Sequence, residues 1–136
     1  MKHITRILII STVLLATSCA NQSQYNNLSG KWRGTITERG KSTLVELSLR
    51  DQQDSIEGRF TILSMTGKDM DKGMAFDIVR IERSGNKLKF IVPITGKVDD
   101  DAIAFELLAQ GNRLTGHGNE LRKGSKNIPI IFAKHE

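Results

Sequence analysis

The chain holds one cysteine, Cys19, and three histidines, so thiol and imidazole chemistry have few places to reside. Cys19 follows a basic start (Lys2, Arg6), an apolar run from Ile7 to Ala16 and the small pair Thr17-Ser18. That run of ten residues falls well short of the ~20 that a membrane-spanning helix needs, so residues 1–18 read as a removable export signal. Beyond Cys19 the imidazoles are His117 and His135, too far apart in sequence for the helical or hairpin spacing that would let both hold one metal ion. Asp69-Met70-Asp71-Lys72-Gly73 opens like a calcium loop, but its glycine arrives one position early and the third acidic ligand is missing. Asp99-Asp100-Asp101 reads as a solvated turn.

A nucleophilic triad needs a serine or cysteine beside a histidine that a carboxylate orients. His117 lies in Leu114-Thr115-Gly116-His117-Gly118, on the outward face by alternation, with no serine at the spacing of a nucleophile elbow. Glu46, Glu57 and Glu106 also fall outward, where carboxylates lack the burial that tunes them for acid and base work. No catalytic residue is assigned, the reading is not that of an enzyme, and neither cofactor nor metal is expected. Trp32, the sole tryptophan, reads as a plug in a barrel floor, with ligand stacking as the alternative, and Met65, Met70 and Met74 read as gap-fillers around a mid-chain linker.

The elements that carry these residues are strands. From Lys31 onward apolar residues recur at every second position, and the runs break at Gly, Asn, Asp and Ser. The expected inward sets are Trp32, Gly34 and Ile36; Val45, Leu47 and Leu49; and Ile56, Gly58, Phe60 and Ile62. A fourth run, Met74 to Arg83, changes phase: Phe76 and Ile78 lie on one face, Val79 and Ile81 on the other, which predicts a bulge near Ile78. Four more runs carry Leu88, Phe90, Val92 and Ile94; Ile103, Phe105 and Leu107; Leu114, Gly116 and Gly118; and Ile130 and Phe132. Ser64 to Gly73 reads as a long linker. Shifted by 58 residues, Trp32 falls on Phe90, Leu47 on Phe105 and Gly58 on Gly116, a pattern that duplication or a shared period of two would produce.

Polar outer faces call for an antiparallel sheet, and closing that sheet removes hazardous edges, so the fold expected is all-β: an eight-stranded antiparallel up-and-down barrel preceded by a signal helix and flexible tether. A two-sheet sandwich is the alternative. The domains follow as 1–18 signal peptide, 19–29 cysteine and flexible tether, and 30–136 barrel, the 118 residues after the signal sufficing for one domain. With Lys2 and Arg6 gone the net charge falls from +5 to +3, its signs are interspersed, and no nucleic-acid partner is expected.

Ala16-Thr17-Ser18-Cys19 resembles the lipobox of bacterial lipoproteins, with Ala16 where that motif usually has Leu. The resemblance implies that Cys19 becomes the lipidated N-terminus of the mature protein, its acyl chains holding the protein to the membrane without a span. Acylation would also remove a lone thiol that otherwise invites intermolecular pairing after export. Ala20, rather than Asp, after the cysteine implies the outer membrane, facing the periplasm, by analogy with enterobacterial sorting. Gly30-Lys31-Trp32, followed by Ile56-Glu57-Gly58-Arg59-Phe60, resembles the first hairpin region of calycin-type barrels, the lipocalins and avidins. Avidins hydrogen-bond biotin through an asparagine and a tyrosine where this chain has Gly34 and Phe60, so biotin binding is not expected.

The resulting expectation is a lipid-anchored, noncatalytic envelope protein that contacts a protein partner through its barrel rim or loops. The alternatives are a structural or assembly lipoprotein of an envelope complex and a calycin-type carrier of a small apolar ligand. Apolar side chains numerous enough to fill a small barrel favour the protein-contact version.

Overall fold

Alternating apolar and polar side chains produce long strands and tight turns. The computed structural model describes residues 26–66, 68–94, 102–121 and 127–135, with backbone alone for 68–72. The leader, Cys19, residues 20–25 and residues 99–101 lie outside them. The strands are β1 (Gly30–Glu38), β2 (Lys41–Asp51), β3 (Ile56–Met65), β4 (Lys68–Asp77), β5 (Val79–Ser84), β6 (Lys87–Pro93), β7 (Ala102–Gln110), β8 (Arg113–Glu120) and β9 (Ile128–Lys134). They form a single antiparallel sheet in the order β4-β3-β2-β1-β9-β8-β7-β6-β5, curled into a nearly closed barrel. The described residues contain no helix. Pairing of β1 with β9 joins the first and last strands, and one continuous curled sheet replaces the two layers of a sandwich.

There are nine strands where the periodicity predicts eight. The expected fourth run is two strands: β4 ladders with β3, β5 ladders with β6, and Ile78 between them belongs to neither. The phase change in the sequence marks this transfer of pairing. The Ile78 amide donates to the Gly58 carbonyl (3.2 Å), so one hydrogen bond holds the crossing point. A bulge does occur, just beyond it: the β5–β6 register slips between Val79 and Glu82, and Arg80 there has φ 51°. The expected linker Ser64 to Gly73 is also corrected. It is the end of β3, a turn and most of β4, with a register irregularity opposite Ile62–Ser64 that turns on Gly73 at φ 67°.

The inward sets pack into one core, including Trp32, Val45, Leu47, Phe60, Leu88, Phe90, Phe105, Leu107, Leu114 and Phe132, all nearly inaccessible to solvent. Phe105 bridges the interior, its ring 5.2 Å from Phe90 and 5.4 Å from Phe60. Outside, charged residues opposite one another in register form pairs such as Arg33–Glu46 (3.0 Å) and Arg59–Asp77 (3.2 Å). Exposed pairs of this kind contribute about 0.2–1 kcal/mol each. Glycine is required where strands approach closely: a Cβ on Gly116 would collide with the Glu106 carbonyl, and one on Gly58 would sit 2.7 Å from the Ser48 carbonyl.

The 58-residue similarity extends to strand pairing. Trp32 pairs with Leu47 as Phe90 pairs with Phe105, and Leu49 pairs with Gly58 as Leu107 pairs with Gly116. Thus β1–β2–β3 and β6–β7–β8 share one register. The likeness stops at the next strand, where Phe60 pairs with Phe76 but Gly118 pairs with Ile128, at a different separation.

Candidate functional site

Both ends of the barrel are built from inward-pointing charged residues, and they are built differently. At one end Asp51 continues the inward sequence Val45, Leu47, Leu49 of β2, and Arg83 continues the inward sequence Val79, Ile81 of β5. Their side chains form an ion pair between Arg83 Nη1 and Asp51 Oδ2, with Asp51 almost wholly buried and Arg83 mostly so. The same carboxylate accepts from the Leu28 amide (2.9 Å) through Oδ2 and from the Gln53 amide (3.1 Å) through Oδ1. Arg83 Nη2 donates to the Asn26 carbonyl (2.7 Å) and Nε to the Gly85 carbonyl (3.1 Å). Two charges taken out of water need several hydrogen bonds each to be tolerated, and here they have them.

This network draws residues 26–29 across the barrel end. Leu28 is buried there, its carbonyl accepts from Trp32 Nε1 (2.9 Å), and Ser29 Oγ accepts from the Asp51 amide (2.8 Å). Residues 26–29, expected to belong to the flexible tether, instead hydrogen-bond to the body. Trp32 is the floor plug the sequence suggests, only 1% exposed, with Lys134 Nζ 5.4 Å from its ring centroid. This end is closed.

Among the described residues the opposite end is hollow. Above the ring cluster of Phe60 and Phe105 lies a chamber of about 170 Å³, walled by aliphatic residues including Ile36, Ile62, Ile94 and Ile103. Its charged lining residues, among the described ones, are Glu38 and Glu120, which continue the inward positions of β1 and β8 up to the rim. The chamber opens into a wider mouth of about 360 Å³ that Arg39 and Lys41 also border. Met65 sits at this rim and Met74 is exposed, while the side chain of Met70 is outside the described set. A third hollow, of about 380 Å³, lies outside the barrel beside Gly58 and Ile78, where β3 loses its neighbour. Arg50, Glu57, Arg59 and Asp77 line it and already form the pairs Arg50–Glu57 and Arg59–Asp77.

The residues weighed for catalysis are scattered over the outer wall. His117 stands opposite Glu106 in the β7–β8 register, and Glu106 lies 3.7 Å and 3.9 Å from the ammonium groups of Lys87 and Lys89. Glu46 is held by Arg33, and His135 is exposed beyond β9. Gly34 packs under the Ile131 carbonyl, and Phe60 is part of the chamber floor. Among the described residues no group of three or more His, Cys, Asp or Glu is placed to hold a metal ion. Sequence reasoning missed Asp51, Arg83, Glu38 and Glu120, although a charge at the next inward position of an apolar run was the available signal. No family model, curated protein or solved structure matches the chain.

Proposed function

We propose that this is a noncatalytic binding protein of the bacterial envelope, anchored by lipid on Cys19 and receiving a small apolar ligand through the open end of its barrel. The observation that carries the ligand part is the one-sided filling. Trp32, Phe90 and Phe105 pack the closed half solidly, while the other half keeps an apolar chamber of about 170 Å³. A void near 150 Å³ is large enough for a ligand of about the size of benzene. The export leader and the lipobox-like Ala16-Thr17-Ser18-Cys19 support the anchor, and Ala20 supports the outer membrane. Biotin is an unsuitable ligand, since Gly34 and Phe60 offer no side-chain hydrogen bond.

The test is calorimetry of the lipidated protein with benzene and with hexanol as probes. Saturable binding that Ile103→Phe abolishes is expected, because the larger ring occupies the chamber. Absence of binding by either probe contradicts the ligand reading. Incorporation of labelled palmitate, lost in Cys19→Ser, tests the anchor separately.

A second reading has its own support. The chamber is smaller than the ~300 Å³ at which most small-molecule pockets begin, so an apolar side chain of a protein partner, docking on the rim, also fits it. A crosslink from the rim position Lys41 to one envelope protein, with no binding of either probe, would favour that reading.

A further inference from the structure

The bonded segment 26–29 fixes which end of the barrel faces the membrane. We infer that the closed end docks on anionic phospholipid headgroups through its basic rim, so that the chamber opens away from the bilayer. The inference rests on the lipid anchor proposed above.

Chain length is the first argument. Seven steps of chain separate Cys19 from Asn26, and fully extended they reach at most about 25 Å. Asn26 is held by Arg83, and Leu28 by Asp51, at the closed end. Nine-residue strands such as β1, tilted as barrel strands are, make walls about 20–25 Å tall. For the mouth to face the lipid, the leash would have to run the whole height of the wall, leaving almost nothing to reach the bilayer. With the closed end down, the same leash has slack.

Charge is the second argument. Lys31 at the start of β1, Lys87 at the start of β6, Arg113 at the start of β8 and Lys134 at the end of β9 are all exposed around this end. Lys31, Arg113 and Lys134 belong to the adjacent strands β1, β8 and β9: the His135 amide donates to the Lys31 carbonyl, and the Lys134 amide to the Asn112 carbonyl. Among the described residues the acids at this end are Asp54 in the β2–β3 turn, Glu57, which is paired with Arg50, and Glu106, which lies 3.7 Å from Lys87, while Asp51 is buried, so Lys31, Arg113 and Lys134 carry the basic rim. Each Lys or Arg near an anionic surface contributes about 1 kcal/mol of attraction, which falls off within a Debye length. A short leash keeps the rim within that distance.

The experiment uses the lipidated protein, in which Cys19 carries the acyl group and an introduced thiol is free for labelling. A fluorophore is placed at Asn112→Cys (closed end), Thr35→Cys (wall) or Lys41→Cys (open end). The protein is reconstituted into vesicles of phosphatidylethanolamine and phosphatidylglycerol that carry a headgroup nitroxide quencher. Quenching several-fold stronger at position 112 than at 41, with 35 intermediate, is expected, and the contrast should shrink in Lys31→Gln/Arg113→Gln and in phosphatidylcholine vesicles. Strongest quenching at 41, or equal quenching at all three positions, overturns the orientation. A contrast indifferent to lipid charge overturns the headgroup docking. Protein that fails to float with vesicles removes the anchor and the leash argument together, an outcome distinct from quenching in the wrong order.

Discussion

Asp51 and Arg83 occupy positions that the strand period reserves for apolar side chains, and the barrel tolerates them because they meet. Removing one partner leaves a buried charge beside donors or acceptors it no longer satisfies. Asp51→Ala is therefore expected to lower stability by about 3 kcal/mol, measured by urea denaturation. The apolar pair Asp51→Leu/Arg83→Met should recover only part of that loss, since both desolvation costs disappear together but the Leu28 and Gln53 amides lose their acceptor. A smaller but equally local effect is expected at Gly116. Its replacement by alanine drives a methyl group into the Glu106 carbonyl of the neighbouring strand and should cost about 2 kcal/mol or more in the same assay. The alternation of Val45, Leu47 and Leu49 was readable from the sequence, and so was the charge that follows at Asp51. What stayed hidden was the partner, because Arg83 lies 32 residues further on and only the transfer of pairing at Ile78 brings the two together.

The β4–β5 rod is the element that decides how the barrel closes. Its phase change was legible in the order Phe76, Ile78, Val79, Ile81. Its consequence was not, since period two reports a change of face without saying whether the strand bulges or exchanges partners. Here it does both, and the bulge holds Arg80 in a left-handed conformation, which costs an ordinary residue about 1–2 kcal/mol. Arg80→Gly should be neutral or stabilise by up to about 1 kcal/mol, whereas the β-branched Arg80→Val should destabilise by at least that much. Opposite signs in chemical denaturation would verify the bulge, and equal losses would contradict it. The turn Arg39–Gly40 shows the simpler case: positive φ at both residues, in a two-residue loop between long strands, suits the right-handed twist of a hairpin.

At the scale of the whole molecule the barrel has two unlike ends, and the ends give it direction. One is sealed by a tryptophan, a buried ion pair and the chain's own entering segment. The other keeps a chamber under a rim of glutamates and basic residues. The near-closed barrel was legible in the inward glycines and the runs of alternation, though the sequence counted eight strands where there are nine. The asymmetry was not, because Phe60, Phe90 and Phe105 look alike in a pattern of twos, and only their positions along the barrel reveal that they crowd one half and floor the other. Shared register between β1–β2–β3 and β6–β7–β8 makes the contrast sharper, since two similar halves differ mainly in the strands that follow them.

The most direct test is a crystal structure of the mature protein under xenon pressure, since xenon occupies apolar voids and ignores packed cores. A chamber open at one end predicts a xenon site above Phe60 and Phe105, among Ile36, Ile62 and Ile103, and none around Trp32. Side chains filling that space, or xenon found only outside the barrel, would contradict it.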